Sequence, residues 1–222
     1  MKHRWGALGW VSTLQFLVVE RVVAATTPRP YRARTAVISD LGARSCHARG
    51  PCSPDHLIMN VSFVALGVGV GLGAVALLRG GRTVAARVAG ALLATSALGV
   101  VVVGCVPEDT VGAVHGLGAA LHLLGGGLGL VALGLALGLG LAPGARAAGA
   151  ATLAVGVVSG TAAVLFVSGH RLGLGAGLVE RVAVLPVPVV LAALALGWWW
   201  HRRPRRGGAS RVPSVPDETM RA

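Results

Sequence analysis

The chain has 222 residues, of which 54% are hydrophobic and only 13% are charged, whereas soluble domains carry about 25% charged residues. This composition excludes an ordinary soluble domain and indicates an integral membrane protein with room for about six spanning helices. The formal net charge of +12 would suit nucleic acid in a soluble protein. Here the arginines lie in predicted loops and a tail without interleaved aromatic residues, so we expect membrane lipid headgroups as partners and no nucleic acid.

The apolar runs predict an all-α fold, an integral membrane bundle of six transmembrane helices. The helices are predicted at about residues 5–25, 55–78, 84–106, 114–141, 147–168 and 177–200. An outer loop at 26–54 joins the first two helices. The six-helix domain (1–200) is followed by a tail at 201–222 that is predicted to be basic, disordered and cytoplasmic. Within the last helix, Pro186 and Pro188 predict a kink.

The first apolar run has two interpretations. It follows a short basic head and ends at Val23-Ala24-Ala25, a small-residue sequence that suits cleavage of a secretory signal. Glu20 and Arg21 precede that site, however, and the run is long enough to span a bilayer. We therefore favour a retained first helix.

Both termini are predicted to be cytoplasmic. An even number of helices places the termini on one side, and Lys and Arg are more numerous on that side, mainly because of the tail. The positive-inside rule then predicts a multi-pass protein of the cell membrane. On the outer side, Cys46 and Cys52 bracket a short loop, and an oxidising environment would allow a disulfide between them.

Acidic and histidine side chains concentrate at the outer ends of the predicted helices. His115 and His122 are seven residues apart, so they share one face of a helix, about 10 Å apart along its axis. Polar side chains at membrane depth are costly and usually point into the bundle or a wet cavity. We therefore predict an outward-facing pocket lined by Ser39, Asp40, His56, Asn60, His115, His122 and Glu180.

Most of these side chains also have a purely structural interpretation. His115 is consistent with a helix cap, and His122 with a hydrogen bond to a neighbouring carbonyl. Three residue pairs also have structural interpretations: a helix cap for Ser39-Asp40, a solvated turn for Glu108-Asp109, and an interfacial ion pair for Glu180-Arg181. No spacing of His, Cys, Asp and Glu resembles a metal motif, so neither a metal site nor a cofactor is predicted.

Glycine pairs with a spacing of four residues recur in the predicted helices. Such spacing lets the backbones of two helices approach closely. The pairs are Gly67/Gly71, Gly69/Gly73, Gly125/Gly129, Gly134/Gly138 and Gly156/Gly160. We expect close helix packing at these positions, and the glycine-rich faces also suit a membrane-protein partner.

Four segments together resemble a known family. They are Ile38–Ala43, Ser53–His56 with Met59-Asn60, Gly104–Asp109 followed by His115, and Gly177–Arg181. In these segments the chain resembles the bacterial and archaeal membrane family called domain of unknown function (DUF) 998. The resemblance covers about residues 5 to 200 and implies six helices in a bacterial plasma membrane, without an established activity. The chain is more distantly similar to the eukaryotic FRAG/DRAM/Sfk membrane proteins, some of which are linked to lipid-anchor remodelling.

Three functions are consistent with these observations. We favour a non-enzymatic membrane protein whose outer pocket binds a lipid or small amphiphile. The first alternative is a membrane-embedded lipid hydrolase or transferase, in which Asp40 or Glu180 would be the general base and His115 the acid or a ligand. The second is a structural or partner-binding subunit that uses the glycine-rich faces and the basic tail for docking.

Overall fold

Residues 4–27, 31–45, 53–139 and 143–202 are described by the computed structural model, apart from the side chains of residues 143 and 202. The predicted Cys46–Cys52 disulfide and nearly all of the predicted tail lie outside this part of the chain. The described residues contain no strand. Their helices are α1 (Arg4–Ser12), α2 (Gln15–Thr26), a short 3-10 helix (Ser39–Gly42), α3 (His56–Gly80), α4 (Val84–Cys105), α5 (Gly112–Gly138), α6 (Pro143–Val167), α7 (Ala176–Val184) and α8 (Pro186–Arg202).

Six of the helical segments are long and apolar enough to cross a membrane. The first combines α1 and α2, the last combines α7 and α8, and the other four are single helices. The predicted all-α bundle of six spanning helices is confirmed, and the chain is a multi-pass membrane protein. One predicted boundary differs clearly, because α6 begins at Pro143 rather than near residue 147. The N–H of the first helical residue has no partner within the helix, and the fixed φ of proline suits that position. Pro143 can therefore be the first residue of α6.

The first and last spanning helices are each interrupted. The last helix breaks at Leu185, immediately before Pro186, whose ring is incompatible with a continuous helix. The first breaks at Thr13, whose hydroxyl lies 2.6 Å from the Trp10 carbonyl oxygen and 3.4 Å from that of Pro188. The two interruptions therefore lie side by side, and a buried hydroxyl supplies a donor to carbonyls there.

The helices pack mainly against their neighbours in the chain. The run from α3 to α6 is a series of antiparallel neighbours, while α1 contacts both α3 and α8, and α7 contacts α6. One end of the bundle is formed by residues 31–45, 106–111 and 168–175, and we call it the loop face. The opposite end, which carries the two ends of the described chain, is called the terminal face.

Most of the paired glycines lie where two helices of this chain meet. A Cβ added at Gly134 would lie 2.5 Å from the backbone nitrogen of Leu153, and one at Gly156 would lie 2.6 Å from that of Val131. A Cβ at Gly138, in contrast, would meet no atom within 4 Å. The glycine spacing thus serves packing within the bundle. A partner protein docked on these faces stays a prediction.

Candidate functional site

Residues 31–45, which we call the connecting loop, are bound to α7 through Arg181. The Arg181 guanidinium donates hydrogen bonds to the carbonyl oxygens of Ala33 at 2.7 Å and Ala36 at 3.0 Å. It also donates to the Tyr31 hydroxyl, which in turn donates to the Val37 carbonyl at 2.8 Å. Burial raises the pKa of Tyr31 above its usual value, so the phenol keeps its proton. One arginine therefore holds the first half of the loop.

Arg181 is also the partner of a buried acid from the first spanning helix. Its Nη2 lies 2.7 Å from Oε1 of Glu20, and both side chains are almost fully buried, at 6% and 1% exposure. The interpretation of Glu180 with Arg181 as an interfacial pair is replaced by this contact, because Arg181 makes its ion pair with Glu20. The pair joins α2 to α7 across the bundle.

Glu180, the residue before Arg181, also contacts the connecting loop. Its Oε2 accepts the Ile38 backbone N–H, and the side chain is buried at 8% exposure. The loop reaches this position because the second residue of α7, Gly177, is a glycine. A Cβ at Gly177 would collide with the carbonyl oxygens of Ala33 and Ala36. The segment Gly177–Arg181 is therefore the part of α7 on which the connecting loop packs.

The second half of the loop is bound by the turn between α4 and α5. Asp109 accepts hydrogen bonds from the backbone N–H groups of Arg44 at 2.9 Å and Ser45 at 2.6 Å, and from the Ser45 hydroxyl. Burial raises the pKa of Asp109, but the hydrogen bonds outweigh it and lower the pKa to about 2. Asp109 is thus an ionised tether rather than part of a solvated turn.

Asp40 and Glu108 form a carboxyl pair between the loop and the same turn. The Asp40 Oδ2 accepts the Val37 backbone N–H at 3.0 Å, and its carboxyl group is hydrogen-bonded to that of Glu108. Burial, together with the hydrogen bond and the charge of Glu108, raises the pKa of Asp40 to about 7. Two carboxyl groups in hydrogen-bond contact need a proton between them, so this contact depends on pH.

Raising the pH from about 5 to about 8 is expected to lower the stability of the protein through Asp40. The folded protein binds this proton with a pKa of about 7, whereas the ordinary aspartate value is 3.8. The folded state therefore holds more protons between those values, and its stability falls as the pH rises through them. Asp40→Asn removes this loss and should gain about 1 kcal/mol over the natural chain at the higher pH, after allowance for the half-exposed side chain.

Thermal unfolding of both proteins at the two pH values measures the effect. The natural chain should lose thermal stability on going to the higher pH, and Asp40→Asn should lose less. A pH dependence that is identical in the two proteins would contradict the assignment of the shared proton to Asp40.

A cavity of about 340 Å³ lies beside the connecting loop. Loop residues 37–39, the α4–α5 turn and helices α2 to α7 all contribute to its wall. The apolar part of the wall is formed by Phe16, Val37, Ile38, Phe63, Val100, Val103, Ala119, Ala120, Leu123, Phe166, Val167 and Val184. The chain has only three phenylalanines, and all three are in this set. The polar residues of the wall are Ser39, Glu108, His115, His122 and Glu180.

The two histidines of the wall have their tautomers set by backbone carbonyls. His115 Nδ1 lies 2.8 Å from the Val106 carbonyl oxygen, and His122 Nδ1 lies 3.2 Å from that of Ser96. A carbonyl only accepts, so a neutral His115 carries its hydrogen on Nδ1 and keeps Nε2 as an acceptor. His122 Nδ1 also lies 3.0 Å from the Ser96 hydroxyl, which donates to the His122 carbonyl oxygen at 3.0 Å, so the same tautomer satisfies this ring. The hydrogen bond of His122 to a neighbouring carbonyl is the structural interpretation given above, and it coexists with a place in the cavity wall.

The structure brings four of the seven predicted pocket residues together and leaves three outside the cavity wall. Ser39, His115, His122 and Glu180 line the cavity. The other three are held by local contacts: Asp40 by Glu108, His56 by the Ser53 carbonyl at 3.2 Å from its Nδ1, and Asn60 by the Gly42 carbonyl at 2.9 Å from its Nδ2. Their polar atoms serve the connecting loop and the start of α3.

Several residues of this region were not singled out by sequence reasoning. The sequence pattern predicts a solvated turn at Glu108, and no predicted site residue is a phenylalanine. The scarcity of aromatic residues in an otherwise aliphatic chain is a signal in the sequence, because each aromatic ring buries a large apolar area and dominates the contacts where it packs. No nearby residue indicates the ion pair of Glu20, since its partner Arg181 is far away in the chain.

A catalytic role for Asp40, His115 and Glu180 stays a prediction. The structure places His115 and Glu180 in one cavity wall and Asp40 in the neighbouring carboxyl pair. Among the described residues, no three His, Cys, Asp or Glu side chains are grouped so that they could hold a metal ion.

Comparison with known proteins gives one match. The sequence model of a family described as "Protein of unknown function (DUF998)" matches residues 10–197. The matched region contains the connecting loop, the cavity wall and the Glu20–Arg181 pair. No curated protein and no solved structure matches the chain.

Proposed function

We propose that this chain, which belongs to the DUF998 family, has a ligand-binding function. The resemblance to that family found in the sequence is thereby confirmed, whereas the ligand-binding function is our proposal. The cavity at the loop face binds a membrane lipid or a small amphiphile. The observation that carries this proposal is the convergence of all three phenylalanines of the chain on one cavity wall that also holds carboxyl and imidazole groups. An apolar wall with a few polar groups at one end suits a molecule with a tail and a head.

The position of the cavity supports entry from the membrane. Gly116 of α5 and Val167 of α6 both line it and are both exposed, Val167 at 49%. The cavity therefore reaches the outer surface of the bundle near the ends of these two helices. Such a depth corresponds to the headgroup region of a bilayer, where an amphiphile can exchange with the surrounding lipid.

The size of the cavity favours a small ligand. Pockets for small molecules have volumes of roughly 300 to 1,000 Å³, and this cavity is at the lower end of that range. A single chain with a compact head fits this volume better than a complete two-chain lipid.

The proposal includes an orientation. The excess of Lys and Arg on the side of the termini supports cytoplasmic termini in the cell membrane, with the loop face and its cavity outside. The cavity would then receive molecules from the outer leaflet.

Filling the cavity tests the proposal. A Cβ at Gly116 would meet no atom within 4 Å, so Gly116→Phe begins without a clash, and we expect its ring to occupy the mouth of the cavity. Lipid extraction and mass spectrometry of the purified natural chain should show an amphiphile enriched over the membrane from which it came. In Gly116→Phe the enriched species should fall by about tenfold or more.

Gly112→Phe is the matched control. Gly112 lies one helical turn away in α5, also has open space at its Cβ, and does not line the cavity. This variant should retain the enriched species. The proposal fails if no species is enriched, or if Gly116→Phe and Gly112→Phe retain equal amounts. Turnover of an added lipid by the natural chain would instead favour the membrane-embedded hydrolase or transferase.

A further inference from the structure

We infer that the cavity takes a single-chain amphiphile whose head carries a protonated primary amine, held by the carboxyl groups of Glu180 and Glu108. This inference rests on the proposed binding function and adds the chemical class of the ligand.

Among the described residues, the unpartnered polar atoms of the cavity wall include hydrogen-bond acceptors on Glu180, His115 and His122, together with the Ser39 hydroxyl, which can donate or accept. Glu180 uses Oε2 for the Ile38 N–H, and its Oε1 has no hydrogen-bond partner among the described residues although the side chain is only 8% exposed. His115 and His122 are 7% and 6% exposed. Their Nδ1 atoms are bound to carbonyls, and their Nε2 atoms have no partner in the described part of the chain. A ligand that satisfies these atoms must bring hydrogen-bond donors.

The charge of the wall favours a cation. Glu180, Glu108 and the nearby Asp40 are close enough to interact electrostatically. The described residues that line the cavity include no lysine and no arginine. A phosphate or carboxylate head would therefore place its negative charge next to acidic groups that cannot neutralise it, whereas an ammonium head favours the ionised form of these carboxyl groups and is neutralised by it.

The nearby arginines already have other partners. Arg181 is bound to Glu20, Tyr31 and backbone carbonyls. Arg171 lies over the Phe166 ring, 4.5 Å from its centroid, and donates to the Phe166 carbonyl at 2.6 Å. Both guanidinium groups thus direct their N–H donors at these partners, although Arg181 also interacts electrostatically with Glu180.

A primary ammonium group meets both requirements. It has one positive charge for the carboxyl groups and three N–H donors for carboxyl oxygens and imidazole Nε2 atoms. A neutral alcohol offers a single O–H donor without charge, and a quaternary ammonium offers charge without an N–H. The alkyl chain would lie among Phe16, Phe63 and Phe166.

The test compares four amphiphiles with the same chain length. The purified full chain in a non-ionic detergent is titrated at neutral pH with dodecylamine, dodecanol, dodecanoate or dodecyltrimethylammonium, and bound molecules are counted by native mass spectrometry. Dodecylamine should bind about tenfold or more tightly than each of the others, because charge-assisted hydrogen bonds are the strong ones.

Variants assign the preference to the carboxyl groups. Glu180→Gln keeps an oxygen that can accept the Ile38 N–H but removes the charge, and it should weaken dodecylamine binding about tenfold. Glu108→Gln should also weaken it, and it carries the test if Glu180→Gln does not fold. Asp55→Asn is the matched control, since Asp55 is an acid of the same face whose carboxylate accepts the Thr26 hydroxyl at 2.6 Å outside the cavity.

Two results would overturn the inference while leaving the binding function in place. One is equal affinity for dodecylamine and any of the other three amphiphiles. The other is unchanged dodecylamine binding in both glutamine variants. If none of the four amphiphiles binds the natural chain, the binding function itself fails.

Discussion

Arg181→Ala is expected to lower the free energy of unfolding by about 3–5 kcal/mol, the typical cost of removing one partner from a buried ion pair. The change leaves Glu20, at 1% exposure, without its buried charge partner and with only the exposed Arg21 near its carboxylate. It also removes the hydrogen bonds to the Ala33 and Ala36 carbonyls that hold the connecting loop. Thermal unfolding in detergent, with size-exclusion chromatography to measure the folded fraction, would show a large loss of stability.

Arg21→Ala is the matched control for this prediction. Arg21 is adjacent to Glu20 in sequence and its Nε lies 3.1 Å from Oε2 of the same carboxylate, an ionic contact without hydrogen-bond geometry. Its side chain is 64% exposed, so solvent screens the interaction and the loss should be within about 1 kcal/mol. Losses of similar size in Arg21→Ala and Arg181→Ala would contradict the role given to the buried pair.

A double variant separates the charge from the loop contacts. Glu20→Gln combined with Arg181→Met removes both charges and keeps most of the side-chain volume. Replacing a buried ion pair by neutral groups is often tolerated, so this variant should be more stable than Arg181→Ala. The stability that it fails to recover measures the hydrogen bonds of Arg181 to the loop.

Gly134→Ala is expected to have the second large effect. The added Cβ would lie 2.5 Å from the backbone nitrogen of Leu153 and 2.7 Å from its Cα. These are backbone atoms, so α5 and α6 must move apart, at a cost of about 1–3 kcal/mol or more. Thermal unfolding in detergent measures the change.

Gly138→Ala provides the comparison in the same helix. Gly138 is the other member of this four-residue glycine pair, but a Cβ added there would lie in open space, so its substitution should change the free energy of unfolding by less than about 1 kcal/mol. The higher helix propensity of alanine favours a small gain in stability. Equal losses in Gly134→Ala and Gly138→Ala would show that general helix composition, rather than the contact with Leu153, determines the effect.

The comparison of these two glycines illustrates what can be predicted from local pattern. The four-residue spacing correctly indicated close helix packing, because spacing along a helix determines which residues share a face. It did not distinguish Gly134 from Gly138, since only the path of α6 decides at which of them an added Cβ would meet a backbone atom. The interruption before Pro186 was likewise predictable, because proline acts on its own helix.

The candidate site was predicted less completely. The acids and histidines were expected to gather at one end of the bundle, and Ser39, His115, His122 and Glu180 do line one cavity. Glu108 and Asp109 are adjacent in sequence, yet one lines the cavity and the other holds Ser45. Nothing in their local sequence separates the two, because the difference arises from the direction in which each side chain leaves the turn.

The sequence by itself determined the membrane class, the number of spanning helices and the places where glycine permits close packing. These properties follow from the free energy of apolar segments in a bilayer and from helix periodicity, and both act on residues that are near in the chain. Only the tertiary structure decided that Glu20 pairs with Arg181 and that three distant phenylalanines meet. Such contacts depend on how each helix is rotated about its axis and on the course of the connecting loop, and those depend on the packing of the whole bundle.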